Sequence, residues 1–76
     1  MAQTYSYSII LEPQDNGGFT VLVPALPEVV TEGETEQEAL ANAQEAIQAV
    51  LSYRRDHGIP LPADAPPRIR HVTVAA

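Results

Sequence analysis

The chain contains no cysteine and no lysine, and its few arginines are confined to one end. Without cysteine it can form neither a disulfide nor a thiolate metal site. Its longest apolar runs, such as Ile9–Leu11 and Val21–Val23, fall far short of the ~20 residues that cross a bilayer. The N-terminus has neither the basic region nor the apolar core of a secretory signal. These absences lead to the expectation of a soluble, cytoplasmic protein without membrane contact.

What is present is small and unevenly charged. A chain of 76 residues is expected to be a single domain over 1–76. Domains of this size bury only about 60% of the surface that the unfolded chain exposes. Self-association is a common remedy, so a homo-oligomer (a dimer or higher) is expected. Residues 1–52 hold eight carboxylates and no Arg, whereas Arg54, Arg55, Arg68 and Arg70 all lie in the last third, for a net charge of −6. An acidic surface repels phosphate, which argues against direct nucleic-acid binding and favours a basic protein partner. The same acidity also serves solubility.

Along the chain, Thr4–Glu12 reads as a strand with Tyr5, Tyr7, Ile9 and Leu11 on one face, and Ile10 marks a partly covered second face. Pro13 closes it. Gln14-Asp15-Asn16-Gly17-Gly18 carries the Asn-Gly signal of a hairpin, and Phe19–Val23 is the return strand. Pro24-Ala25-Leu26-Pro27 interrupts that strand, because proline cannot donate to a ladder. Glu28–Glu32 is a shorter third strand or an extended segment, with Val29 and Val30 the candidates for burial. Gly33 and Glu34 turn into a helix expected over Glu36–His57. Thr35 suits the N-cap and Glu38 completes a capping box. Leu40, Ala43, Ile47, Val50 and Leu51, with Ala39 and Ala46, form an apolar stripe at helical spacing, and its alanines imply close approach to a sheet. Arg54 and Arg55 complement the helix dipole in the last turn, Gly58 supplies the left-handed stop, and Pro60 prevents continuation. Ile59–Pro67 is a stiff, proline-rich connection, and Arg68–Ala75 alternates as a final strand, pairing with the sheet or with another chain. The expected fold class is α+β, in the order β-β-β-α-β: one long helix packed on a small, mainly antiparallel sheet.

The Tyr-rich first strand, Gly17-Gly18-Phe19, Pro24-Ala25-Leu26-Pro27, Thr31-Glu32-Gly33-Glu34-Thr35, Glu38-Ala39-Leu40 and Glu45-Ala46-Ile47 together resemble the HicB family of antitoxins. The likeness is to the short HicB-like domain and covers roughly Met1–Ser52 and the last strand. It implies a partly degenerate ribonuclease-H-like fold. It also implies a partner: a HicA-like toxin, small and basic, with a double-stranded-RNA-binding-like fold and a histidine that cleaves mRNA. Longer members add a C-terminal DNA-binding domain, and this sequence has only one further strand after the helix, so operator binding by the chain alone is not expected. It also has Glu28-Val29 after Pro27, where the family has Gly-Cys or similar.

The chemistry-bearing residues favour binding over catalysis. Two-metal hydrolysis requires converging carboxylates holding ions about 4 Å apart, and Glu12, Asp15 and Glu45 are scattered on a strand end, a turn and the polar side of the helix. His57 and His71 lack a second ligand at metal spacing and read as structural. Ser6, Ser8 and Ser52 have no His neighbour in sequence, and Gly17-Gly18 lacks the helix that a phosphate cradle requires. No enzyme activity, cofactor or metal is expected. Glu28, Glu32 and Glu34 admit two readings, a solvated helix entrance or an acidic rim that draws in a basic toxin. They are the candidate partner-binding residues. The expected function is an antitoxin masking a HicA-like mRNA-cleaving toxin; the alternative is a stand-alone homo-oligomeric structural or regulatory domain.

Overall fold

The computed structural model describes residues 3–76, so Met1 and Ala2, which the single-domain and family readings include, lie outside the described residues. Three strands, β1 (Ile10–Pro13), β2 (Phe19–Leu22) and β3 (Val30–Gly33), precede one helix, α1 (Glu36–Asp56). The sheet is antiparallel with order β1-β2-β3, and β2 lies between its neighbours with Leu11 opposite Val21 and Val21 opposite Thr31. The α+β arrangement expected from the sequence is present.

Local chemistry accounts for each junction. At the β1–β2 turn, Gln14 N–H donates to the Gly18 carbonyl (2.7 Å) and Gly17 N–H to the Gln14 carbonyl (2.9 Å). The Asn16 side chain accepts from Gly18 N–H at 3.0 Å. Pro24–Pro27 does more than interrupt a strand. Leu26 N–H donates to the Val23 carbonyl and Val29 N–H to the Leu26 carbonyl, both at 2.9 Å, and these two tight turns drive Leu26 into full burial with Val23 and Val29.

The helix begins on Thr35, whose Oγ1 accepts from Glu38 N–H at 3.1 Å. Glu38 reaches one residue further back than a capping box requires, accepting from Glu34 N–H at 3.2 Å. At the other end His57 is the C-cap, Gly58 turns left-handed (φ 67°), and Ile59 N–H closes on the Arg54 carbonyl at 2.7 Å. Together with the Gly58 N–H bond to the Arg55 carbonyl, this completes the glycine-terminated stop.

The helix packs on β3 and β2 through its smallest side chains. Val21 is fully buried against Ala39 and Ala43, with Ile9, Leu11 and Phe19 around them. Toward the helix C-terminus, Val23, Leu26 and Val29 pack with Tyr7, Ala46, Ile47, Val50 and Leu51. Gly33 makes this approach possible. A Cβ at that position would stand 2.4 Å from the Ala39 nitrogen and 2.7 Å from its Cα, so any side chain would force helix and strand apart.

The structure corrects several expectations. Ladder pairing in the first strand is confined to Ile10–Pro13; Pro13 is its last residue, opposite Phe19. The third strand is shifted to Val30–Gly33; Val29 is buried just before it, and Val30 is 63% exposed. Leu40, placed in the apolar stripe, is 44% exposed. The final strand does not form within the chain: residues 68–76 belong to no helix or strand and are exposed and unpaired among the described residues. Alternation specifies the two faces of a strand but not its neighbour, and here the sheet stops at β1 on one side and β3 on the other. The free end lengthens the molecule. Its longest extent is 53 Å and its radius of gyration 14.8 Å, against about 11 Å for a compact chain of this length.

Replacing Gly33 with Ala is expected to lower unfolding stability by about 1–3 kcal/mol through overpacking against backbone, and Thr35→Ala by about 1 kcal/mol through loss of the cap. Urea titration checks both, and an unchanged midpoint for Gly33→Ala would contradict the close approach.

Candidate partner-binding face

The helix entrance and the hairpin tip border an open cleft of about 820 Å³, lined by Asn16, Gly18, Phe19, Glu32, Glu34 and Glu38 among others. Its walls are held by backbone. Glu32 sits opposite Thr20 in the ladder, and its carbonyl accepts from Asn42 Nδ2 at 2.8 Å. Glu34 precedes the cap, with its N–H held by Glu38. The Glu32 and Glu34 side chains are thus displayed from fixed positions, and neither forms an ion pair among the described residues. Glu38 shares the cleft but is engaged in the cap.

Glu28 does not belong with them. Its Oε2 accepts from Arg54 Nη2 at 2.8 Å and Arg54 Nε at 3.1 Å, and Arg54 Nη1 also donates to the Pro60 carbonyl at 3.2 Å. The Arg54 hydrogen bond is the main cause holding the Glu28 carboxyl below its ordinary range. The pair sits at the far end of the helix, since Glu38 and Arg54 are separated by ~24 Å at 1.5 Å per residue. Of the three candidates, the structure brings Glu32 and Glu34 together and places Glu28 in an internal clasp.

A second clasp involves residues the sequence did not single out as partners. Asp64 accepts from Ser8 N–H at 2.8 Å and from Ser8 Oγ at 2.7 Å. Beside it the Tyr7 hydroxyl donates to the Pro62 carbonyl at 2.6 Å. The proline-rich connection is therefore fastened along the stretch leading into β1. The Ser8 hydrogen bonds hold the Asp64 carboxyl below its ordinary value, whereas desolvation, and next the neighbouring Tyr5, raises Tyr7. Stiff prolines were the only advance signal; neither Asp64 nor Ser8 lies in a pattern that points to the other.

The remaining candidates have structural surroundings. His57 stacks on Tyr53 with ring centroids 4.1 Å apart, and its Nδ1 lies 2.8 Å from the Tyr53 carbonyl. His71 is exposed in the free end. Glu12 lies in β1, Asp15 in the hairpin turn and Glu45 on an exposed part of α1, and no three acidic or histidine side chains assemble to hold a metal among the described residues. No helix among them is long and apolar enough to cross a membrane. The arrangement can present fixed negative charge to a partner.

Comparison with known proteins places these features in a family. A family model described as the HicB-like antitoxin of bacterial toxin–antitoxin systems matches residues 7–73. A UPF0150 protein of Thermoplasma acidophilum is 40% identical over 58 residues, covering 76% of this chain and 84% of that one. Antitoxin HicB 1 of Photorhabdus laumondii is 45% identical over 58 residues; these are 74% of this chain but 37% of the relative, so the chain spans little more than a third of that protein. A UPF0150 protein of Synechocystis is 31% identical over 62 residues, covering 82% and 78% of the two chains.

The Asp64 clasp predicts a pH effect of definite sign. Because the folded carboxyl titrates below its ordinary value of 3.8, its stabilisation is complete above that pH and is lost as pH falls through the lower folded value. Amide exchange at Ser8 should therefore lose protection at acid pH before the helix melts, and in Asp64→Ala it should be unprotected at neutral pH. A Ser8 amide equally protected in both chains would refute the clasp.

Proposed function

The chain belongs to the HicB-like antitoxin family of bacterial toxin–antitoxin systems, and from that premise we propose that it neutralises a HicA-like, mRNA-cleaving toxin by covering the toxin's basic RNA-binding and catalytic surface. The family match over nearly the whole chain carries this reading, and the charge layout supports it. A toxin that grips RNA must present positive charge, and a rigid acidic rim competes for the same surface. Glu32 and Glu34 are the first contacts in this account. Glu28 joins them only by releasing Arg54, so its contribution is smaller. The protein acts without catalysis of its own, in the cytoplasm where mRNA is translated, and it does not bind nucleic acid directly.

A second reading is favoured by one observation. The two relatives of comparable length are named as UPF0150 proteins, not as antitoxins. In that reading the chain is a stand-alone homo-oligomeric domain with a structural or regulatory role. The neighbouring reading frame separates the two, since a small basic protein encoded beside this one belongs to the antitoxin reading.

Co-expression with that neighbour is expected to relieve its toxicity and to yield a complex on a sizing column; persistent toxicity with no complex would reject the proposal. Reversing Glu32 and Glu34 to Lys should slow association on the order of tenfold at low salt and flatten its salt dependence. Glu28→Gln should leave the on-rate nearly unchanged. Equal on-rates for the reversed and parent chains would remove the rim from the mechanism.

A further inference from the structure

The sheet has two faces, and the helix covers one of them. On that side Val21 is enclosed by Ala39 and Ala43, with Ile9, Leu11 and Phe19 beside it. Side chains alternate along a strand, so the residues between these point the other way. The ladder register sorts them into two rows that cross all three strands, Ile10, Leu22 and Val30 in one, Glu12, Thr20 and Glu32 in the other. The second row is what a face turned to water should carry. The first is not. None of its members belongs to either core cluster; Ile10 and Leu22 are half-buried, and Val30 is 63% exposed. The tail does not cover them, since Ile69, Val72 and Val74 are themselves 84%, 86% and 78% exposed.

The chemistry of this face restricts what can lie on it. Because β2 is bonded to a strand on each side, its backbone groups are spent in the ladders and the face offers side chains alone. An occupant therefore packs across it, as α1 does on the opposite face, and does not add as a strand. The apolar row is about 10 Å long, two strand spacings. That matches the ~10.5 Å rise of seven helical residues and so an apolar helix stripe of two turns. Glu12 and Glu32 border the row about 7 Å along their strands, and neither forms an ion pair among the described residues. No basic side chain stands in either row. Two copies joined face to face would bring four carboxylates together with no cation between them, which opposes docking. A basic partner is selected over a second copy.

We propose that the sheet face away from α1 is a docking surface for an amphipathic helix of a basic partner protein. The apolar stripe of that helix lies along Ile10, Leu22 and Val30, and Lys or Arg side chains at its margin meet Glu12 and Glu32. The inference rests on the antitoxin reading for the basic partner and adds the contact that holds the complex together. Glu32 belongs both to this face and to the cleft at the helix entrance, so the two surfaces are continuous. The rim speeds encounter and the apolar row slows dissociation.

Calorimetric and stopped-flow titration of the neighbouring basic protein into the parent chain, Val30→Lys and Gln48→Lys tests this. Residue 30 is exposed on the edge strand β3 and residue 48 is exposed on the helix, so both variants should keep the helix signal in circular dichroism, and they change the charge equally. Val30→Lys is expected to weaken binding on the order of 100-fold, mainly through faster dissociation, and Gln48→Lys by no more than about threefold. In the labelled parent chain, the methyl signals of Leu22 and Val30 should shift as the partner is added. No complex with the parent chain would overturn both this proposal and the antitoxin reading. A complex that Val30→Lys leaves intact, or that leaves those methyl signals unmoved, would overturn this proposal alone. Methyl shifts that follow the concentration of the chain by itself would assign the face to a second copy, and contacts from Ile69 or Val72 to Leu22 in the free chain would assign it to the tail; either would overturn it.

Discussion

Backbone meets backbone at Gly33, and the rest of the structure depends on that approach. With no Cβ, the end of β3 comes within a few ångströms of Ala39, so strand and helix join through a turn of only two residues, Glu34 and Thr35. The small side chains of Ala39 and Ala43 keep the distance short enough for Val21 to be fully enclosed. A larger residue at any of these positions would have to lift the helix, since a packed interior has little slack. The same tight junction fixes the proposed docking rim. Glu32 and Glu34 flank Gly33, and they inherit its rigidity.

Much of this was legible in the sequence because it is local. The hairpin glycines, the Thr35 cap, the glycine stop at Gly58 and the alternation of apolar residues are chemistry between neighbours a few positions apart. The clasps are not local. Tyr7 meets Pro62, Ser8 meets Asp64 and Glu28 meets Arg54 across separations of 55, 56 and 26 residues, and nothing in the spacing of any one segment names the other. Leu26 escaped for a different reason, because prolines on both sides mark a break in a strand without revealing that the turn aims a leucine inward. For the last strand, the alternating pattern specifies two faces but not a neighbour, and residues 68–76 join no sheet among the described residues.

The clasps also reshape the electrostatic reading. A tally of acidic residues treats Glu28, Glu32 and Glu34 alike, yet Arg54 neutralises Glu28 internally. Such a half-exposed ion pair contributes only about 0.2–1 kcal/mol, so its chief effect is to narrow the charge offered to a partner to the hairpin side of the helix entrance. The body is acidic, Arg54 is engaged with Glu28 and Arg55 lies in the last turn of the helix, and the tail carries the other two basic residues. Within the HicB-like family, whose model spans residues 7–73, the proposed surface for a basic partner is therefore the hairpin side of the helix entrance.

In the proposed function a basic partner docks at the rim formed by Glu32 and Glu34. Backbone amide shifts of the labelled chain, followed while the neighbouring basic protein is added, test it most directly. The largest perturbations are expected on Glu32–Thr35 and the facing Asn16–Gly18 turn. Perturbations confined to the Glu28–Arg54 end of the helix, with the rim unmoved, would contradict it.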